Sequence, residues 1–149
     1  MNSVALARKM TAADVDAVAA LEAATFTAPW KPDTFQSLLD RSGAELWVLD
    51  DPDAGVVAYA VVWCILDQGE LANIAVAESH RGKGLGRYLL GKVLDVARER
   101  GVQSLYLEVR VSNEGAIELY HSFGFTQVGV RKKYYDKPVE DALIMVRRL

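Results

Sequence analysis

Residues 81 to 87 read Arg-Gly-Lys-Gly-Leu-Gly-Arg, three glycines interleaved with three cations. Glycines let successive backbone N–H groups turn toward one point, and a helix starting there adds unpaired donors with partial positive charge. With the side chains of Arg81, Lys83 and Arg87 beside them, Arg81, Gly82, Lys83, Gly84, Leu85, Gly86 and Arg87 suit a pyrophosphate. A flexible turn that binds nothing is the plainer alternative. Two further groups could move protons. Glu108 stands in an apolar stretch beside Leu105, Leu107 and Val109, where a carboxylate can accept a proton from a reacting group. An exposed strand-end acid, or a partner for Arg110, fits the same spacing. Tyr120 carries a phenol of ordinary pKa about 10, protonated at neutral pH and able to donate. Its place beside Ile117 and Phe123 also fits core packing.

The spacing narrows the ligand. A Walker loop ends in Gly-Lys-Ser/Thr, which this stretch lacks. The dinucleotide fingerprint is nearer: Gly82 and Gly84 match its first two glycines, but its third falls on Arg87. Starting from Gly84 and Gly86, the third falls on Leu89. Glu108, about 20 residues on, stands where that fingerprint wants an acid. A dinucleotide-dependent oxidoreductase is therefore a rival, weakened by the missing glycine and by the lack of a second nucleotide-binding half.

These groups need a frame. A first strand is expected at Val4–Arg8, and Thr11 with Asp14 forms a capping-box pattern opening a helix with Val15, Val18 and Leu21 on one face. Pro32 suits the first turn of a second helix bearing Phe35, Leu38 and Leu39. Strands are expected at Leu46–Leu49, Val56–Leu66 and Glu70–Val76, dense enough in apolar residues for a sheet covered on both faces. Leu85, Tyr88, Leu89, Val93, Val96 and Ala97 recur at helical spacing, with Gly101 placed to end the helix. Gln103–Val109 reads as a strand and Asn113 as the cap of a short helix. Phe125–Tyr135 and Asp141–Val146 read as closing strands. The pattern is mixed α/β with a lone strand–loop–helix–strand unit in its middle, not a regular doubly wound alternation.

Composition excludes several classes. The 149 residues suffice for a single domain over 1–149, and 51% hydrophobic with 25% charged residues is the make-up of a soluble globular protein. A net charge of −3 argues against a nucleic-acid partner, so an anionic ligand must be held by local geometry. The longest apolar run, Val56–Leu66, is shorter than the roughly 20 residues a membrane helix needs. The start does not read as a signal peptide. Cys64, the single cysteine, sits in that apolar run as a small hydrophobe and can form no internal disulfide. These features point to a cytoplasmic protein. His80 and His121 are too isolated for a metal site, and no metal is expected.

Arg81, Gly84 and Gly86 take the matching places in the arginine/glutamine-x-x-Gly-x-Gly/Ala signature of the GCN5-related N-acetyltransferases (GNAT superfamily), which the chain resembles. The resemblance continues through Leu107-Glu108-Val109-Arg110, Asn113, Ala116-Ile117, Leu119-Tyr120 and Gly124-Phe125. Within the superfamily the chain is most similar to the bacterial RimI-like enzymes, which acetylate the N-terminal alanine of a small-subunit ribosomal protein. The matching pieces are Pro29-Trp30, Asn73-Ile74-Ala75-Val76, the Leu-Glu-Val-Arg stretch, Tyr134-Tyr135 and Glu140-Asp141-Ala142. Nearly the whole chain is covered. Two departures, Ala28 where many relatives have an aromatic and a short Asp136–Val139 segment, lie where the family admits its peptide. They bear on substrate preference more than on chemistry.

The resemblance implies an α/β fold of the α+β type: a mixed, mostly antiparallel sheet, helices on both faces and a splayed cofactor cleft. It implies acetyl-CoA as cosubstrate, Glu108 as general base and Tyr120 as general acid. Asn113 would contact coenzyme A, and Ile74, Ala75 and Val76 would lend backbone groups to its pantetheine arm. Trp30, Glu70, Tyr134 and Tyr135 would face the peptide, with Glu70 or another acid meeting a basic residue after the acceptor amine. The amine must be neutral to attack. An α-amine, of pKa about 7.7–8.0, is usefully neutral near physiological pH, whereas a lysine amine at about 10.4 is neutral in only ~0.1% of molecules. Other protein N-termini, a small amine, or a coenzyme A-binding module without catalysis are the alternatives within this resemblance.

Overall fold

The computed structural model describes residues 5–149; Val4, where the sequence starts its first strand, lies outside them. Strands β1 (Leu6–Lys9), β2 (Ala44–Asp51), β3 (Gly55–Ile65), β4 (Gln68–Val76), β5 (Ser104–Arg110), β6 (Thr126–Tyr135) and β7 (Glu140–Arg148) form a sheet in the order β1-β2-β3-β4-β5-β7-β6. Every neighbouring pair is antiparallel except β4 with β5. A parallel pair needs a crossover, and α3 (Leu85–Glu99) supplies it. Helices α1 (Val15–Thr25) and α2 (Pro32–Leu39) pack on one face of the sheet, α3 and α4 (Glu114–Ser122) on the other. This is the mixed, mostly antiparallel architecture that the family resemblance implies.

The central strand shows why its sequence is apolar throughout. On β3, Ala58, Ala60 and Val62 face the core under α3 and α4, while Tyr59 and Val61 face the core under α1 and α2. Both alternating sets are buried, so period-two alternation disappears. Cys64 is buried on the first of these faces, and burial pushes its thiol pKa up.

Two helices depart from expectation. The Thr11/Asp14 capping box is present, but the first turn is a tight 3₁₀ turn, Ala12–Asp14, before α1 begins. The buried stripe of α1 is Val15, Val18, Ala19 and Glu22, with Leu21 only half-buried. An i, i+3, i+4, i+7 face thus ends on a carboxylate, which a search for apolar residues passes over. On α3, Tyr88 is 48% exposed, and Leu90 and Leu94 fill the core instead. The helix closes as expected: Gly101 has φ +85°, its N–H donates to Arg98 O and the Val102 N–H to Ala97 O, each at 3.0 Å.

One irregularity creates the cleft. β4 pairs with β5 only from Gln68↔Ser104 to Leu71↔Leu107. At that point the β3–β4 register shifts, and from Asn73 to Val76 β4 follows β3 alone. A bulge bends its strand. The two parallel strands therefore diverge at their carboxyl ends, where α3 begins on one side and Glu108 sits on the other.

Candidate active site

The glycine loop forms one wall. Gly82 and Gly84 have φ of +77° and +80°, which L side chains rarely adopt, and a Cβ at either would meet nothing within 4 Å. The requirement is the backbone's, and the space before the loop is open. Gly84 occupies the cap position of α3 without any side-chain cap, so the first-turn amides from Leu85 onward are bare. At Gly86 a Cβ would lie 3.7 Å from Val76 Cγ2, an ordinary contact. Gly84→Ala is therefore expected to lower stability by about 1–2 kcal/mol in urea unfolding, and Gly86→Ala, inside the helix with room for a Cβ, to leave it unchanged or raise it by up to ~1 kcal/mol. Equal losses would show that the left-handed backbone at Gly84 is not needed.

The cations of this loop do not all face one point. Arg81 Nε donates to Val76 O at 3.0 Å, tying the loop to the end of β4. The Arg87 guanidinium donates to Ser122 Oγ at 3.1 Å and lies 5.4 Å from the Phe123 ring centroid, turned toward α4. Both are engaged by the fold, which corrects the picture of three free charges. Lys83 is exposed in the loop.

β5 forms the opposite wall. Leu105, Leu107 and Val109 point into the core, so Tyr106, Glu108 and Arg110 point to the other face. There a groove of about 470 Å³ is lined by Trp63, Glu70, Tyr106, Glu108, Arg131 and Ile144, among others. Glu108 Oε2 is shielded from solvent and accepts no hydrogen bond. Arg131 Nε lies 3.1 Å from it, close enough to pair by charge yet not aligned to donate. Arg110 is not its partner; that side chain is committed to Glu140, to the carbonyls of Asp136 and Pro138, and to Thr27.

The titrating groups around the groove influence one another. Burial, and then the negative charge of Glu108, raise the pKa of Glu70; Arg131 opposes them. Burial followed by the charges of Glu108 and Glu70 raises the Tyr134 phenol. Burial and Glu108 push Tyr135 up to about 12. Tyr120, on α4, is also pushed up to about 12, by burial and then by Tyr135. Its ring lies 5.8 Å from that of Phe125 in the core. Tyr120 keeps its proton on the core side of α4, while the unsatisfied carboxylate oxygen of Glu108 lies in the groove on the other face of β5.

The remaining expected residues are placed as follows. Ile74, Ala75 and Val76 lie on the segment of β4 that has left β5, with Ile74 and Val76 also packed against the core. Asn113 caps α4, its Oδ1 accepting from the Ala116 N–H at 3.2 Å. The ring of Trp30 packs at 5.5 Å on Phe35 in the core under α1 and α2, and Trp63, not Trp30, lines the groove.

The family model for the acetyltransferase (GNAT) family matches residues 15–125. A protein of Bacillus subtilis is 38% identical over 146 residues, 97% of this chain and 96% of its own. The ribosomal protein bS18-alanine N-acetyltransferase of Escherichia coli is 35% identical over 147 residues, again 97% and 96%. The crystal structure of the E. coli ribosomal-protein-S18-alanine N-acetyltransferase superposes with a TM-score of 0.89 at 34% identity, covering 97% of this chain and 93% of that one. The chain belongs to the GNAT family. That membership overturns the dinucleotide-oxidoreductase reading.

Three features of this GNAT cleft escaped the sequence. Glu22, 1% exposed, accepts from the Tyr59 hydroxyl, from Asn73 Nδ2 at 2.8 Å and from the Trp30 N–H at 2.9 Å. It joins α1, the loop before α2, β3 and the bulged part of β4. Its only local signal was an acid at the i+7 position of a buried stripe. Arg110 pins the β6–β7 turn to Thr27 on the α1–α2 connection, which no spacing announces. Arg131 faces Glu108 from β6, a pairing across 23 residues that no local pattern marks.

Proposed function

We propose that this chain is a single-domain, cytoplasmic N-terminal acetyltransferase that uses acetyl-CoA to acetylate the N-terminal alanine of ribosomal protein bS18. The relatives at 33–38% identity support it, several of them named for that activity. The observation that carries the chemistry is a bare helix start and an unsatisfied carboxylate oxygen on the two walls of one wedge in the sheet. Neither nucleic acid nor a membrane enters this reading. Among the described residues, no helix is long and apolar enough to cross a bilayer.

Acetyl-CoA supplies the thioester that the acceptor amine attacks. The amides of Gly82 to Gly86 and the first turn of α3 suit its pyrophosphate, with Arg81 holding the loop, and with Lys83 and Arg87 adding positive charge around it. The divergent edge of β4 at Ile74, Ala75 and Val76 offers backbone groups to the pantetheine amides, in the manner of strand addition. Asn113 retains its side-chain Nδ2 to donate while its Oδ1 caps α4. Glu108 Oε2 accepts the proton leaving the amine, directly or through one water, and Tyr120 gives a proton to the departing sulfur. A phenol pushed up to about 12 keeps its proton until that sulfur develops charge. Tyr134 and Tyr135 bound the acceptor side. Trp30 acts from beneath, holding the loop before α2.

Thiol release from acetyl-CoA with an Ala-Arg-initiated peptide, compared with the same peptide blocked at its N-terminus, tests the reading. Turnover is expected only with the free amine, and equal or absent release from both removes it. The pH dependence adds a second check on Glu70. A carboxyl whose pKa is raised loses its charge at a higher pH than an ordinary glutamate, so its grip on a cationic second residue fails as pH falls through that raised value. The peptide KM is expected to rise on that acid limb in the wild type and to stay level there in Glu70→Gln.

A further inference from the structure

Two arginines lie near Glu108 and are held in opposite ways. Arg110, with 24% of its side chain exposed, donates to Pro138 O at 3.0 Å, Asp136 O at 3.1 Å, Glu140 Oε1 at 3.2 Å and Thr27 Oγ1 at 3.2 Å. Its guanidinium also lies 4.4 Å from the Tyr135 ring centroid. Arg131 is 57% exposed along its side chain, and its Nε meets Glu108 Oε2 at 3.1 Å without hydrogen-bond alignment. It also lies 5.6 Å from the centroid of the Tyr134 ring and acts on the Glu70 carboxylate across the groove. Only the arginine's half of the pair is exposed, so the arginine is the partner with room to reorient.

The oxygen beneath it has the opposite character. Glu108 Oε2 is shielded and lacks a donor, which native interiors seldom leave uncorrected. Glu70 lines the same groove, so one loosely held cation faces two acids. The backbone permits that cation to move. Arg131 pairs with Ala142 of β7, the next pair is Tyr135 with Glu140, and the register shifts between them, with Lys133 at φ +51°. A swing of the Arg131 side chain leaves this ladder intact.

We propose that Arg131 is a displaceable stand-in for the acceptor. It covers Glu108 Oε2 while the groove is empty, and cedes that place to the amine of an incoming N-terminus, coming to rest on Tyr134. This rests on the reading of Glu108 as proton acceptor. A terminus arriving as its ammonium brings N–H donors to the buried oxygen and the positive charge that the arginine takes away, then yields a proton to Glu108 before the neutral amine attacks; a blocked terminus brings no charge. Arg131 thereby contributes to selection before any chemistry occurs.

Wild type, Arg131→Gln and Arg131→Lys are compared for thiol release with the Ala-Arg peptide and for peptide binding to the CoA-saturated enzyme by calorimetry. Removing a competing closed state tightens apparent binding by the inverse of the open fraction, so Arg131→Gln is expected to lower the peptide KM and Kd by about three- to tenfold. The change should fall in KM and not in kcat, with the acetyl-CoA KM unmoved and Arg131→Lys close to wild type. Methylguanidinium is expected to compete with the peptide at least about fivefold more strongly in Arg131→Gln, where it can enter the vacated place. A peptide KM that rises, a kcat that falls tenfold, or a variant indistinguishable from wild type overturns the proposal. If Glu108→Gln turns over at the wild-type rate, the reading of the base fails, and the proposal with it. If that variant is inactive while Arg131→Gln binds peptide more weakly, only the stand-in is wrong.

Discussion

Glu108→Gln is expected to lower kcat by roughly 10²- to 10⁴-fold, the range general-base catalysis usually contributes, with acetyl-CoA affinity kept within about twofold. Glutamine preserves the shape of the side chain on β5 but cannot take the proton that the attacking nitrogen must lose. The split between rate and affinity follows from the architecture. The pyrophosphate wall is built from residues 81–87 and the start of α3, across the wedge from Glu108, and shares no hydrogen bond with it. Single-turnover thiol release and calorimetric titration with acetyl-CoA measure the two quantities separately. A variant turning over within threefold of wild type would remove Glu108 from this role. Loss of acetyl-CoA binding would instead mean that the substitution disturbs β5.

Glu22→Ala is expected to reduce the unfolding free energy by on the order of 3–5 kcal/mol. The substitution leaves the Tyr59 hydroxyl, the Asn73 side-chain amide and the Trp30 N–H without the acceptor they share, a carboxylate only 1% exposed. Burial and the adjacent carboxylate hold the Tyr59 phenol far above its ordinary pKa, so that group stays a donor and its loss of a partner is uncompensated. For a chain of this length the change corresponds to a fall in Tm of roughly 6–20 °C. Urea unfolding followed by tryptophan fluorescence reads it directly. A loss below about 1 kcal/mol would show that the hub contributes nothing particular. Function should suffer alongside stability, because the same carboxylate holds the loop carrying Trp30 and the bulged segment leading to Ile74, Ala75 and Val76.

Sequence spacing recovered the strands, the crossover helix and its glycine stop, and erred where one residue's identity hid its place. Glu22 was passed over because a carboxylate at a core position contradicts the apolar pattern unless its donors are known. Tyr88 shares the helical spacing of the buried residues yet is 48% exposed, because that spacing does not tell the edge of a buried face from its centre. The alternative partner proposed for Glu108, Arg110, was near in sequence and pointed to the same face. Yet its guanidinium is drawn to the turn at Asp136–Glu140, leaving Glu108 to an arginine on another strand.

What the sequence by itself determined is what depends on neighbours along the chain. Left-handed backbone at Gly82 and Gly84, an uncapped helix start behind them and alternating faces on β5 all follow from local sterics and periodicity, and they suffice to mark an anion site and a candidate base. Tertiary structure decided which charges remain free and which are spent on the fold. The partners concerned lie far off in sequence: Tyr59 and Asn73 stand 37 and 51 residues from Glu22, and Thr27 stands 83 from Arg110. No periodicity encodes a hydrogen bond between residues that meet only when the sheet has closed. The opening between β4 and β5 belongs to the same class, because it comes from a register shift against a third strand.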